Sequence, residues 1–153
     1  MTDLVVSTNR ITAMSDDAIN KVKQLEQHLK DMRQLTLTTD HVIHGGMYAR
    51  SLFMPMGTVI TGVLIKVPTI LIISGHVTIW LDNERTEIAG YQVFACSAKR
   101  KQAFAFHGDT NMTMLFSSNC TTVAEAEEEF TDEADRLLSR QGNAINNINI
   151  TGE

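Results

Sequence analysis

The sequence predicts a mainly β domain, an antiparallel barrel or sandwich with one helix before it and short helices after it. Apolar residues recur at helical spacing around residue 20, alternate with period two over 35–118, and return to helical spacing beyond residue 121. Turn signals punctuate the middle stretch at Gly57, Ser74-Gly75, Asp82-Asn83, Ala89-Gly90 and His107-Gly108-Asp109. No interval between candidate strands is long enough for a crossover helix, which disfavours parallel βαβ units.

The elements follow in order. A helix over 16–33 is capped by Ser15, with Asp16 and Asp17 at its positive end and Glu26 and Lys30 as an i,i+4 pair. Ala18, Ile19, Val22, Leu25, Leu29 and Met32 form one apolar stripe, which needs either the domain body or the same helix of a second subunit. Strands are expected over 35–39, 48–54, 58–66, 69–73, 77–81, 85–88, 92–96, 102–106 and 111–116. The run Ile70 to Ile73 is apolar without alternation and suits a strand buried on both sides. Thr122 and Glu125 read as a capping box opening a helix rich in Glu125, Glu127, Glu128 and Glu129. Thr131 restarts or kinks it, a second short helix covers 132–141, and Gly142 stops it. The Asn-rich end is expected to be mobile unless it docks on a neighbour. The organisation is thus 1–34 (arm and helix), 35–118 (barrel) and 119–153 (acidic helices and tail).

The 153 residues suit one domain, and a hydrophobic fraction of 43% supplies a core without disulfides or a structural metal. The formal charge of -5 argues against a nucleic-acid or acidic-lipid surface, which would need clustered Lys and Arg. The acidity belongs to the tail, where residues 121–153 hold eight acids against two bases. Cys96 and Cys120 fit no metal spacing and no disulfide framework, so a reducing cytoplasm is the expected compartment. The start MTDLVVSTNR lacks the apolar run of a signal peptide, and the most apolar stretch, 68–74, is too short to span a membrane. A soluble protein, with no membrane partner, is expected.

The stretches HVIHGGMYARSLFMPMGTVITGVLIK, PTILIISGHVTIW, ERTEIAGYQVFACSAKRKQAF and TTVAEAEEEFTDEAD together carry a resemblance. Over roughly residues 18–138 the chain resembles a cupin, the small double-stranded β-helix or jelly roll, and is most similar to short cupins of bacteriophages and bacteria. Metal-binding cupins place histidines and an acid on the inner sheet face. Against that pattern this chain has Ile65, Pro68 and Thr69 in the first motif, and Gln102 where the last histidine would stand. Ile cannot ligate a metal, and Thr69 and Gln102 are poor ligands for Fe, Mn or Zn. No resident metal and no other cofactor is therefore expected. An improvised site from His41, His44 and His76 is disfavoured, because residues three apart on a strand face opposite ways. His28 is expected on the surface and His107 in a turn.

Two sets of residues remain as candidates. His44, Tyr48, Arg50, Thr69 and Gln102 are the ligand-binding set, with Tyr48 and Arg50 two apart on one strand face. Arg50 either grips an anion in the lumen or pairs on the outer face with Glu125, Glu128 or Asp132 of the terminal helices, the favoured reading. Lys99, Arg100 and Lys101 form the dense basic cluster, read as a solvated corner or as a docking point for an anion. With Glu125, Glu128 and Glu129 of a second subunit this cluster makes a candidate interaction surface. Cys96 reads as a small buried apolar side chain, not a nucleophile. Ile65, Ile70, Ile72, Phe94, Phe104, Phe106, Met112 and Met114 are the side chains expected to fill the lumen.

The leading functional expectation is a phage-type cupin without metal that acts through protein contacts, as a virion or assembly component or as a modulator of a host protein. It would work in the host cytoplasm or the virion, most naturally as a two-fold dimer. The alternative is a small-molecule binding module, or a metal-independent enzyme, using the barrel lumen. An enzyme is the less expected outcome.

Overall fold

The computed structural model describes residues 2–32, 34–82 and 84–153. Strands β1 (Arg10–Ile11), β2 (Thr38–His44), β3 (Met47–Met54), β4 (Val59–Thr61), β5 (Thr69–Trp80), β6 (Arg85–Cys96), β7 (Ala103–Phe106), β8 (Thr110–Ser117) and β9 (Ile145–Ile150) make one hydrogen-bonded system. Helix α1 (Asp16–Leu29) precedes it, and α2 (Val123–Phe130) follows β8 with two short 3₁₀ turns, Ala134–Arg136 and Leu138–Arg140. The path β1-β6-β5-β8-β3-β2-β9 forms one sheet, while β7 leaves β5 to pair with β4. This is the expected mainly β jelly roll with a helix before it and short helices after it.

The long β5–β6 hairpin organises the two sheets. β5 pairs with β8 from Ile70 to Ser74, then with β7 from Val77 to Trp80, and stays paired with β6 throughout. The change of partner falls at Gly75, opposite Gly90. A Cβ on Gly75 would lie 2.6 Å from Thr110 Cα and closer still to its Oγ1, so this close approach requires glycine. The expected breaks at Ser74-Gly75 and Ala89-Gly90 are accordingly bends inside continuous strands: glycines in register let the ladder curve without parting.

Other boundaries shift for local reasons. α1 ends at Leu29, and Met32 beyond it is exposed; Arg33, the end of the expected helix, and Asn83, part of an expected turn, lie outside the described residues. The α1 stripe packs on its own domain, with Ala18, Ile19 and Val22 against Met14 and Leu64. β2 runs to His44 although a short strand over 35–39 is expected, because its inner face carries Thr39 and His41, which do not look like core. The expected 58–66 strand contracts to three residues and an isolated bridge between Ile65 and Arg100. The second C-terminal helix is replaced by the two 3₁₀ turns. β1 and β9 have no counterpart among the expected strands: each adds in parallel to a sheet edge, β1 to β6 and β9 to β2. Every residue of β9 is exposed, so it has no alternating core face to announce it.

The core lies between the sheets, under α2. Leu71, Ile73, Val77 and Ile79 point inward from β5, whereas Ile70 is 44% exposed and Ile72 half-buried. The expectation that Ile70 and Ile72 fill the lumen is therefore corrected by one residue of register. Ile65, Phe104, Phe106, Met112 and Met114 do belong to the core cluster or pack on it. Among the described residues no helix is long and apolar enough to cross a membrane.

Candidate functional site: the barrel lumen

A cavity of about 130 Å³ lies between the sheets, closed at one end by α2 and the turns after it. Leu52, Val63, Leu71, Phe104, Met114 and Phe130 give it a mainly apolar wall, and Arg50, Arg100 and Gln102 are its long polar side chains. The two arginines differ in how their charge is met.

Arg50 sits on the inner face of β3 and is 6% exposed. Its Nη1 donates to Glu127 Oε2 at 2.9 Å and its Nη2 to Ser139 Oγ at 3.0 Å. Arg140 Nε donates to the other Glu127 oxygen at 2.9 Å, and the Arg50 guanidinium lies 5.8 Å from the Phe130 ring centre. Burial alone would raise the Glu127 carboxyl, but bonds from Ser139 and Arg140 and the charge of Arg50 together hold it below its ordinary value. The acid comes from a terminal helix, as the favoured reading has it. It is Glu127, not Glu125, Glu128 or Asp132, and the pair is buried at the lumen, not set on the outer face.

Behind Arg50 the polar network continues. The Tyr48 hydroxyl and His41 Nδ1 are 2.7 Å apart, His41 Nε2 and Asn146 Oδ1 are 2.7 Å apart, and Asn146 Nδ2 donates to Ser139 O at 2.9 Å. The last bond assigns Oδ1 as acceptor, so His41 Nε2 carries the proton and Tyr48 donates to Nδ1. Burial lowers His41 from its ordinary value and raises Tyr48. Tyr48 thus belongs to a structural network beside the cavity.

Arg100 is the residue that sequence reasoning misplaces. It is 1% exposed and Lys101 is fully buried, so neither stands on a solvated corner. Lys99, at φ 64°, stays exposed near Asp16 and turns the chain inward. Residues 100–102 then run extended beside 62–65, with Ile65 N–H donating to Arg100 O and Gly62 N–H to Gln102 O. Side chains alternate along such a segment. Arg100 and Gln102 line the cavity, while Lys101 lies against α1 and the C-terminal segment, 2.8 Å from both Glu26 and Glu133. The three cations read as one cluster are divided by the period of two.

Arg100 donates from Nη1 to Ser97 O at 2.6 Å and from Nη2 to Thr69 Oγ1 at 2.5 Å, both neutral acceptors. Its Nε is buried without an acceptor, and so is Gln102 Nε2. Among the described residues no carboxylate pairs with it. Burial pulls Arg100 below its ordinary value, yet a guanidinium stays charged in a protein. The site therefore holds one uncompensated positive charge.

Of the remaining candidates, Thr69 reaches the cavity only through Arg100. His44 is exposed at the sheet end, 2.6 Å from Thr151 Oγ1. Glu125 caps α2 with Thr122, Glu128 is exposed 3.7 Å from Arg140, and Glu129 accepts from Ser118 at 2.6 Å. Apart from Arg100, these basic and acidic groups thus find partners within the chain. Cys96 is buried, and burial pushes its thiol up.

The fold's customary metal does not fit these residues. Ile65 and Gln102 line the cavity, Thr69 accepts from Arg100, and a second cation beside the unpaired guanidinium would be repelled. His41 is buried in its network, His44 faces solvent, and His76 sits on β5 against Glu87 and His107. Among the described residues no three His, Cys, Asp or Glu gather as a metal site.

No protein-family model matches the chain, and no curated protein does. Solved structures similar to it include a cupin superfamily protein of Desulfitobacterium hafniense, with 14% identity, TM-score 0.46, and coverage of 58% of this chain and 84% of that one. A conserved protein of unknown function from Streptococcus pyogenes has 16% identity and TM-score 0.45 over 57% of this chain and 79% of its own. A mutant salicylate 1,2-dioxygenase of Pseudoaminobacter salicylatoxidans has 11% identity and TM-score 0.47 over 76% of this chain and 36% of its own.

Proposed function

We propose that the chain is a small-molecule binding module whose ligand sits in the barrel lumen. The observation that carries this is an interior cavity with an apolar wall and two long polar side chains holding unused hydrogen-bond donors. Buried donors are ordinarily satisfied, so the lumen is built for an occupant that supplies acceptors. At about 130 Å³ the space suits a compact molecule, since a cavity of about 150 Å³ takes up benzene. Binding, not catalysis, is the reading: Cys96 is held as a buried thiol, and the carboxylate beside the lumen, Glu127, is engaged by Arg50, Ser139 and Arg140. Methyl NMR during titration with benzene, a neutral probe of access, tests the site. Shifts confined to methyls that line the cavity, such as Leu52, Val63, Leu71, Met112 and Met114, are expected; unshifted lining methyls at high benzene concentration would sink the proposal.

A second reading, action through protein contacts, is favoured by the outer sheet face. Where β5 pairs with β8, the outward positions of β3, β8, β5 and β6 are Met47, Ala49, Ser51, Phe53, Asn111, Thr113, Leu115, Ile70, Ile72, Tyr91, Val93 and Ala95. None of these is charged, but Arg10 of β1, paired with Ala95, and Asp40 of β2, paired with Ser51, flank them at opposite edges, and Ser51 and Thr113 bond to each other at 2.7 Å. This patch is roughly 20 Å on a side from strand spacing and rise, a size at which apolar patches mark contact sites. A face with an uncharged centre and a cation and an acid on opposite edges is self-complementary, so we assign it to a second copy about a two-fold axis. A virion or host partner would compete for this face.

A further inference from the structure

We infer that the lumen ligand is a small monocarboxylate, its oxygens accepting from the Arg100 guanidinium and from the Gln102 side-chain amide. This rests on the lumen being a binding site and adds what that site selects. Four observations carry it. Arg100 is buried with only neutral acceptors on its Nη atoms. Its Nε and Gln102 Nε2 are buried nitrogens without acceptors, on residues two apart that line the same cavity. The other lumen cation, Arg50, is already neutralised by Glu127. The rest of the wall is apolar but for Thr61, whose hydroxyl donates to Glu26.

The charge balance sets the ligand's valence. One net positive charge in an apolar enclosure is costly until a single negative charge joins it. A dianion such as phosphate or a dicarboxylate would leave the surplus negative charge unmet. The donors set the group: a carboxylate accepts through two oxygens and suits a guanidinium N–H beside an amide. The apolar wall and the volume set the body, a short branched or compact hydrocarbon. A sugar would bring hydroxyls that the wall cannot satisfy.

Calorimetric titration of the purified full chain with 4-methylpentanoate and with its amide, 4-methylpentanamide, separates this inference from the lumen reading. The two probes share shape and differ in charge. The carboxylate is expected to bind at least about tenfold more tightly, the scale of hydrogen bonds to a charged group. Arg100→Met and Gln102→Leu are each expected to remove that preference while the amide still binds. Equal binding of both probes overturns the carboxylate inference and leaves the lumen reading standing. Binding of neither probe overturns the inference, and the benzene titration then decides whether the lumen is open. Should Arg100→Met fail to fold, the wild-type comparison and Gln102→Leu decide the same question.

Discussion

At the residue scale, the barrel end depends on a few buried polar groups whose partners come from distant parts of the chain. Glu127 serves both Arg50 and Arg140, so Glu127→Gln leaves the buried Arg50 without its counter-charge, while Arg140 keeps Glu128 and Asp135 nearby. Breaking such a buried pair from one side costs about 3–5 kcal/mol, and chemical denaturation should show a loss of that order. The same groups set the response to acid. The folded state holds His41 neutral below its ordinary 6.5, so as pH falls the unfolded chain takes up that proton first, and stability declines through the folded pKa. Asn146, Arg50, Glu127 and Asp40 are the groups that bias it. Glu127 and Glu133 are depressed from 4.5, so their contribution is complete above that value and is lost as pH falls through their folded values. Thermal melting between pH 8 and 3 should therefore weaken in two stages. Glu127→Gln should blunt the lower stage, and a wild-type melting temperature constant over this range would refute the assignment.

At the element scale, two features hold the jelly roll in its present form. Gly75 lets β5 pass from one sheet to the other beside Thr110, and Gly75→Ala places a methyl within 2.7 Å of the Asp109 carbonyl and closer still to Thr110. Backbone there has little room to yield, so a loss of about 3 kcal/mol or more is expected; melting near the wild-type temperature would show that the bend relaxes freely. β9 covers the edge of β2 and brings Asn146 to His41 and Ser139. Asn146→Ala should cost about 1–3 kcal/mol by leaving His41 without its acceptor. Truncation before residue 145 should go further and expose the β2 edge, seen as lower melting temperature with concentration-dependent aggregation. A truncated chain as stable and monodisperse as the full one would make β9 an ornament of the fold.

At the scale of the whole molecule, the chain has an apolar inside with one unmet charge and an outer sheet face whose centre carries no charge. The second feature predicts a dimer: light scattering should give twice the 17.0 kDa chain mass at tens of micromolar. Tyr91→Lys with Val93→Glu should return it to the chain mass without changing lumen binding, and a double variant that stays dimeric would place the contact elsewhere. Legibility in the sequence differs by feature. Strands that bury one face announce themselves by alternation, which is why β3, β7 and β8 can be placed within a residue or so. Capping residues Ser15 and Thr122 likewise act on neighbours in sequence, and both helix starts follow from them. The apolar run Ile70 to Ile73 reads as doubly buried because hydropathy does not distinguish a core from a bare outer face. β1 and β9 leave no mark, since edge strands borrow their hydrogen bonds from a partner and need no pattern of their own. In the site, Arg50 and Gln102 stand out from the sequence, yet Arg100 reads with Lys99 and Lys101 as part of a surface corner. Local physics determined where helices begin, where turns fall and which strand face is apolar. Only the tertiary structure decided which charges meet. Lys101 finds Glu26 and Glu133, Arg50 finds Glu127, and Arg100 is left with neutral acceptors, because pairing depends on distances between elements far apart in the chain.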